Sequence, residues 1–252
     1  MKKLATLTAV VLLAACGSDG NDIPQFVDPG EPTTPVEPTP PVEPPAPPAD
    51  PGRTFEVTVT NLTVGQPFSP VGIFLHDSTQ QVFTVGMPAS VPLEEMAEGG
   101  DISGLIDAVD SISEAAGEAP IGPGGSNTYT LSIDSQPAAE LELSVMTMLV
   151  NTNDAFTGVN GADITELAEG ESMMFNAIAY DAGTEDNTEA AGSLPGPADG
   201  GEGSNAVRDD IADQVTMHSG VVTADDGLAT SILNQSHRFD NPVARVRITR
   251  TQ

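Results

Sequence analysis

The chain has 252 residues, 37 of them acidic and eight basic, and a formal net charge of −29. So little positive charge excludes general nucleic-acid binding and argues against docking onto anionic lipid head groups through a folded face. One cysteine, no tryptophan and two tyrosines exclude a disulfide framework and leave no obvious platform for stacking sugar rings.

The chain opens on a basic Met1-Lys2-Lys3, an apolar run from Leu4 to Leu13, and then Leu13-Ala14-Ala15-Cys16. The apolar run is too short to span as a lasting helix, so residues 1–15 read as a signal peptide. The tetrapeptide resembles a bacterial lipobox, which implies cleavage before Cys16 and lipidation of its thiol. Cys16 is the sole cysteine and stands where a lipoprotein requires one. Gly17 behind it, in place of Asp, points to the outer membrane by the sorting rule of enteric bacteria. Removing residues 1–15 takes away Lys2 and Lys3, the only lysines, and leaves six arginines against 37 acidic residues, hence −31.

Residues 22–51 include twelve prolines, mixed with Glu, Thr and Val. Proline lacks an N–H and fixes φ, so this stretch cannot pair as a sheet or form a helix interior. It reads as a polyproline II spacer of up to ~90 Å at about 3.1 Å per residue. The organisation is then a lipidated tether over residues 16–52 and a folded domain over residues 53–252.

Within that domain the pattern is mostly β. Phe55, Val57 and Val59 alternate with Glu56, Thr58 and Thr60, as in a half-buried strand. Further strands are expected at residues 71–76, 81–85, 127–133, 140–150, 172–180, 214–222 and 244–249. Eight short strands suit one sandwich domain. Ile102, Leu105, Ile106, Val109 and Ile112 recur at three and four, which predicts an amphipathic helix over residues 101–116. Residues 183–205, rich in Gly, Ala, Pro and acids, form a long loop, either a calcium-ordered lid or a disordered excursion.

Two acidic clusters follow expected strands. They are Asn151-Thr-Asn-Asp154-Ala-Phe156 and Tyr180-Asp181-Ala-Gly-Thr-Glu185-Asp186. Ca²⁺ takes six to eight oxygens from carboxylates and carbonyls on adaptable loops. Asp181 and Glu185, four apart around a glycine, can turn toward one centre while Asp154 reaches in from the other loop. For the loops to meet, the strands ending at Val150 and Tyr180 must run the same way. They cannot be hairpin partners, and the chain between them must cross back. In so acidic a chain, two solvated loops are the competing reading. The spacing of an EF-hand is absent.

The same residues carry a resemblance. The run ending in Asp154-Ala-Phe156, then Tyr180-Asp181-Ala-Gly-Thr, then Asn241-Pro-Val-Ala-Arg-Val-Arg-Ile248, resembles the spondin domain. The opening Phe55-Glu-Val-Thr-Val-Thr-Asn-Leu-Thr-Val-Gly-Gln-Pro67, with Ser69-Pro70 after it, fits the start of that domain. The resemblance implies a C2-like antiparallel β-sandwich that binds calcium, with matrix or adhesion roles in animal relatives. It places metal ligands on Asp154, Asp181 and the acid four residues on. The family usually has Asp there; this chain has Glu185 followed by Asp186, and the two compete for the role.

The remaining chemistry is sparse. His76, His218 and His237 lack metal-ligand spacing and read as surface or strand-end residues. Met146, Met148, Met173 and Met174 read as core filler on strands. Four of the six arginines, Arg238, Arg245, Arg247 and Arg250, fall in the last fifteen residues, where they are expected to pair with acidic neighbouring strands. No nucleophile elbow, P-loop or zinc-protease helix occurs. The expected function is a surface-anchored calcium-binding module, not an enzyme, that engages an extracellular protein or glycan and meets the membrane only through Cys16. The alternative is a secreted hydrolase using Asp154, Asp181 and Glu185 as acid, base or metal ligands.

Overall fold

The computed structural model describes residues 52–134, 140–205 and 212–252. The signal peptide, Cys16 and the proline-rich run expected from the sequence lie outside the described residues. The first strand, β1 (Arg53–Asn61), carries the alternation that the sequence shows, with Phe55, Val57 and Val59 buried. It lies at the centre of a four-stranded antiparallel sheet in the order β4-β1-β10-β7, with β4 (Ser126–Ile133), β10 (Ala244–Arg250) and β7 (Ser172–Ala177). A six-stranded antiparallel sheet packs against it, in the order β3-β2-β5-β6-β8-β9. Its strands are β2 (Gly72–Asp77), β3 (Ser113–Ala116), β5 (Leu141–Met148), β6 (Ala155–Asp163), β8 (Ala179–Asp181) and β9 (Thr216–Met217). The expected all-β sandwich is thus present, with ten strands and two short helices among the described residues in place of eight and one.

The core between the sheets holds Phe55, Val57, Ile73, Leu75, Leu143, Val246 and Ile248. A second apolar layer covers the far face of the six-stranded sheet. There Phe74, Met146, Met148 and Phe156 pack beneath helices α1 (Val91–Gly99) and α2 (Ser103–Ala108). Strands β2 and β5 are therefore buried on both faces, which is why their sequences read as runs more than as alternations. The two helices complete a local third layer.

Several elements differ from expectation, each for a local reason. The helix expected over residues 101–116 stops at Ala108. Ser111 and the β-branched Val109 and Ile112 are weak helix formers, and the edge of β2 offers a ladder instead. Ile112 N–H donates to Leu75 O at 2.7 Å and β3 continues that pairing. Helix α1 was hidden by its length, though its signals are present. Ser90 caps its start, Pro92 sits in its first turn, and Gly100 ends it at φ +71°, a left-handed conformation that glycine adopts without strain.

Residues 81–85 form no strand. Asn160 holds them from the side, accepting Val82 N–H at 3.0 Å and donating to Phe83 O at 2.7 Å. Strand β6 escaped notice because Gly158, Asn160 and Gly161 dilute its pattern. A Cβ at Gly158 would collide with the Val145 carbonyl. The strand expected over residues 172–180 is two strands in different sheets. The chain changes sheet at Ile178, where Asn241 Oδ1 accepts Ala179 N–H at 2.8 Å. Of the strand expected over 214–222, only Thr216–Met217 pairs.

Side-chain placements differ as well. His76 and His218 stand at strand ends but are buried, His76 with Ser144 Oγ at 2.8 Å. Met146 and Met148 are core residues, whereas Met174 is 60 % exposed. Arg238 pairs with Asp226 at 3.1 Å, on loops and not across strands. Arg247 instead donates to Ser172 Oγ, and Arg250 to the Leu167 and Gln252 carbonyls.

A candidate metal centre at the sheet rim

Both β5 and β8 are antiparallel to β6 and lie on either side of it. They therefore run the same way, and the connections leaving them share one rim. The first connection, residues 149–154, is a tight turn held by its own polar side chains. Thr152 Oγ1 donates to Leu149 O at 2.6 Å and accepts Ala155 N–H at 3.0 Å. Asn151 donates to Gly65 O and accepts Ala198 N–H, so it joins two further loops to the turn. Residues Asn151, Thr152, Asn153 and Asp154 are all buried.

The second connection wraps over this turn. Asp154 Oδ2 accepts the backbone N–H of Thr184 at 2.9 Å and of Glu185 at 3.2 Å. Asp154 Oδ1 is buried and has no hydrogen-bond partner. Asp181, paired in register with Ala155, accepts Gly183 N–H through Oδ1 at 2.8 Å and Asn187 Nδ2 through Oδ2 at 2.7 Å. Asn187 in turn accepts from His218 Nε2 at 3.2 Å, since His218 Nδ1 is occupied by Gly220 N–H. Glu185 is half-buried and accepts Asn153 Nδ2 at 3.2 Å, whereas Asp186 is exposed. Glu185 and Asp186 line a cavity of about 160 Å³ with Asn153 and Glu202.

The structure thus brings Asp154, Asp181 and Glu185 to one place and leaves Asp186 at its mouth. It adds a residue that sequence reasoning missed. Glu98, from the last turn of α1, is 1 % exposed and accepts Asn205 N–H at 2.9 Å. Its charge bears on both Asp154 and Glu185. Its signal in the sequence was a glutamate following Leu93, Met96 and Ala97 on the buried face of a short helix, just before Gly99-Gly100.

The electrostatics are those of carboxylates crowded in poor solvent. Burial, then the Asp181 charge, pushes the Asp154 carboxyl up to about 7; the Thr184 and Glu185 amides oppose the shift. Burial likewise pushes Glu185 up to about 7, helped by Glu98, Asp154 and Glu202 and opposed by Asn153. None of the charges acting on these two carboxyls is positive. His218 has its pKa lowered by burial, against the pull of the Asp181 carboxylate.

A buried carboxylate oxygen with no donor is costly unless it meets a proton or a cation. Asp154 Oδ1 is such an atom, and the residues around it are hard oxygen donors of the kind Ca²⁺ takes. Among the described residues no three His, Cys, Asp or Glu side chains already stand disposed to hold an ion by themselves. The long loop over residues 183–205 packs against this rim. Leu194 is fully buried with Val221 and Leu233, and a Cβ at Gly196 would collide with the Val150 carbonyl and the Asn151 side chain. No family model matches the chain, and no curated protein matches it.

Proposed function

We propose that the domain is a calcium-stabilised binding module of spondin type, anchored through Cys16 to the bacterial outer membrane and held off it by the proline-rich run. Its role is adhesion or the capture of an extracellular protein or glycan. One observation carries the calcium reading: the Oδ1 atom of Asp154 is buried and unpartnered, and the charges that act on its carboxyl, Asp181 and Glu98, are also acidic.

In this reading Asp154 is the innermost ligand, and Asp181 and Glu185 close on the ion from the second loop. Asp181 and Glu185 each hold an amide donor now, so binding exchanges hydrogen bonds from Gly183, Asn187 and Asn153 for metal bonds. Glu98 supplies negative charge from α1, and main-chain carbonyls complete the shell. The ion supplies positive charge and ties two loops and a helix into one rim. No group-transfer chemistry is assigned to the site.

Titration calorimetry of calcium into the EDTA-treated full chain tests this. The expected result is saturable binding of one ion per chain, absent from Asp154→Asn. Absence of heat, together with absence of retained calcium after dialysis, overturns it.

A further inference from the structure

Glu189 is 1 % exposed and stands where the loop over residues 183–205 meets the segment over residues 218–233. It bonds to three different pieces of the fold. Its N–H donates to Asn153 Oδ1 at 3.2 Å, its C=O accepts Ile232 N–H at 3.0 Å, and Oε1 accepts Val222 N–H at 2.8 Å. The two stretches share further contacts beside it. Ala190 and Ser231 form an isolated antiparallel bridge, Thr230 Oγ1 donates to Thr188 O at 3.2 Å, and Leu194 packs with Val221 and Leu233. Between Val221 and Ser231 the chain makes one turn of 3₁₀ helix, Ala224–Asp226, and pairs in no sheet, so this junction is what holds it in place.

Two features make Glu189 costly where it stands. Its φ is +49°, a left-handed conformation that residues other than glycine adopt rarely. Its Oε2 atom is buried and has no hydrogen-bond partner among the described residues. A buried carboxylate oxygen in that position needs a proton or a cation. The charged groups on the surrounding elements supply no cation to it. Its own loop carries Glu185, Asp186 and Asp199, and the turn beneath carries Asp154. The facing segment carries His218, Asp225 and Asp226, the last paired with Arg238. None of these charges acts on the Glu189 carboxyl, which burial pushes up to about 7 against the Val222 amide alone.

We infer that Glu189 is a proton-operated latch between residues 183–205 and residues 218–233. Protonated, it closes the junction; ionised, it puts an uncompensated charge into it and loosens the bonds to Val222 and Ile232. In the open junction Glu189 meets water and titrates near the ordinary 4.5, so the closed form holds the proton more tightly. The latch is therefore whole below pH ~4.5 and weakens as pH rises to about 7. Opening uncovers Leu194, Val221 and Leu233 and takes the Glu189 N–H from Asn153. The inference does not rest on calcium, since Glu189 is not among the proposed metal ligands.

Two readouts on the full chain test it, each in EDTA and in millimolar calcium. Carbon-13 titration of the assigned Glu189 carboxyl resonance reads the ionisation directly and needs no variant. It is expected to titrate near 7 in both conditions; titration in the ordinary carboxylate range overturns the latch. Amide hydrogen exchange at Val222 and Ile232, corrected for intrinsic rates, reads the opening. Protection is expected to fall about tenfold or more between pH 5 and pH 7.5 in wild type and to stay level in Glu189→Gln, which keeps the shape and removes the charge. Unchanged protection in wild type, or an equal fall in Glu189→Gln, overturns the proposal. Should Glu189→Gln misfold, the carboxyl titration and the wild-type exchange decide it. A Glu189 titration that calcium alone brings into the ordinary range makes the residue a metal ligand and also overturns the latch. Absence of calcium binding with the Glu189 titration intact counts against the metal reading alone.

Discussion

Asp154 and Thr184 stand thirty residues apart, and the Thr184 N–H donates to Asp154 Oδ2 at 2.9 Å while Oδ1 of the same carboxylate stays buried and unpartnered. The bond explains how the second loop is held over the first before any ion is considered. The free oxygen explains why the arrangement is costly as it stands. A buried carboxylate that cannot be satisfied by donors resists ionisation, and stability then depends on pH.

The sign is set by the raised pKa. Asp154 in the fold titrates at about 7, well above the ordinary 3.8, so the folded state holds its proton more tightly than the unfolded chain does. Without metal, the stability tied to Asp154 is whole below pH ~4 and falls as pH rises to about 7, by on the order of a few kcal/mol. Glu185 acts in the same direction, more weakly because it is half exposed. His218 and His237, lowered by burial, act oppositely and add stability as pH rises toward the ordinary 6.5. Comparing wild type with Asp154→Asn in EDTA cancels the histidines. The stability of wild type relative to Asp154→Asn should fall between pH 5 and pH 8; a constant difference contradicts the burial of an ionisable Asp154.

Glu185 and Asp186 separate cleanly. Glu185 is half-buried against Asn153 and beside Asp154, whereas Asp186 is exposed at the mouth of the cavity. Glu185→Gln should weaken calcium binding by about tenfold or more, near 1.4 kcal/mol, and Asp186→Asn should stay within about threefold. Calorimetric titration of both variants decides it, and the reverse order moves the third ligand to Asp186.

Gly196→Ala tests the loop over residues 183–205. The added methyl would collide with the Val150 carbonyl and the Asn151 side chain, which also accepts Ala198 N–H. Overpacking of this kind costs typically 1–3 kcal/mol, or roughly a 3–10 °C lower melting temperature in a domain of this size. Scanning calorimetry should show the drop. Melting at the wild-type temperature would mean that the loop does not pack on the turn.

Anchoring has its own test. Cys16→Ser should block lipidation and release the protein from membranes, since the chain after residue 15 sets six arginines against 37 acidic residues and would be repelled by anionic lipid. Fractionation of cells expressing the variant checks this, and a variant that still sediments with membranes after signal cleavage contradicts it.

The sandwich was legible where burial is one-sided. Phe55, Val57 and Val59 alternate in the chain as they do in β1, and Ala244, Val246 and Ile248 do the same in β10. The shared rim of β5 and β8 was legible too, because two acidic loops that follow strands can meet only if those strands run the same way. What escaped depended on contacts distant in sequence. Gly158 and Asn160 look like turn residues until Val145 and Phe83 are placed beside them. Ile178 reads as mid-strand until Asn241, 62 residues beyond Ala179, takes the Ala179 N–H and turns the chain into the other sheet. Glu98 was missed because the helix carrying it went unseen, and with it the charge that faces Asp154 from the third layer.

The measurement closest to the central claim is a pair of melting curves at pH 7.5, in EDTA and in millimolar calcium, for wild type and for Asp154→Asn. A ligand bound only to the folded state adds RT ln(1 + [L]/Kd), about 2.7 kcal/mol at a hundredfold excess over Kd. For a domain of this size that raises the melting temperature by roughly 5–10 °C. Calcium should therefore shift wild type by several degrees, magnesium much less, and Asp154→Asn not at all. Superimposable wild-type curves in EDTA and calcium, or an equal shift in Asp154→Asn, would contradict a calcium centre built on Asp154.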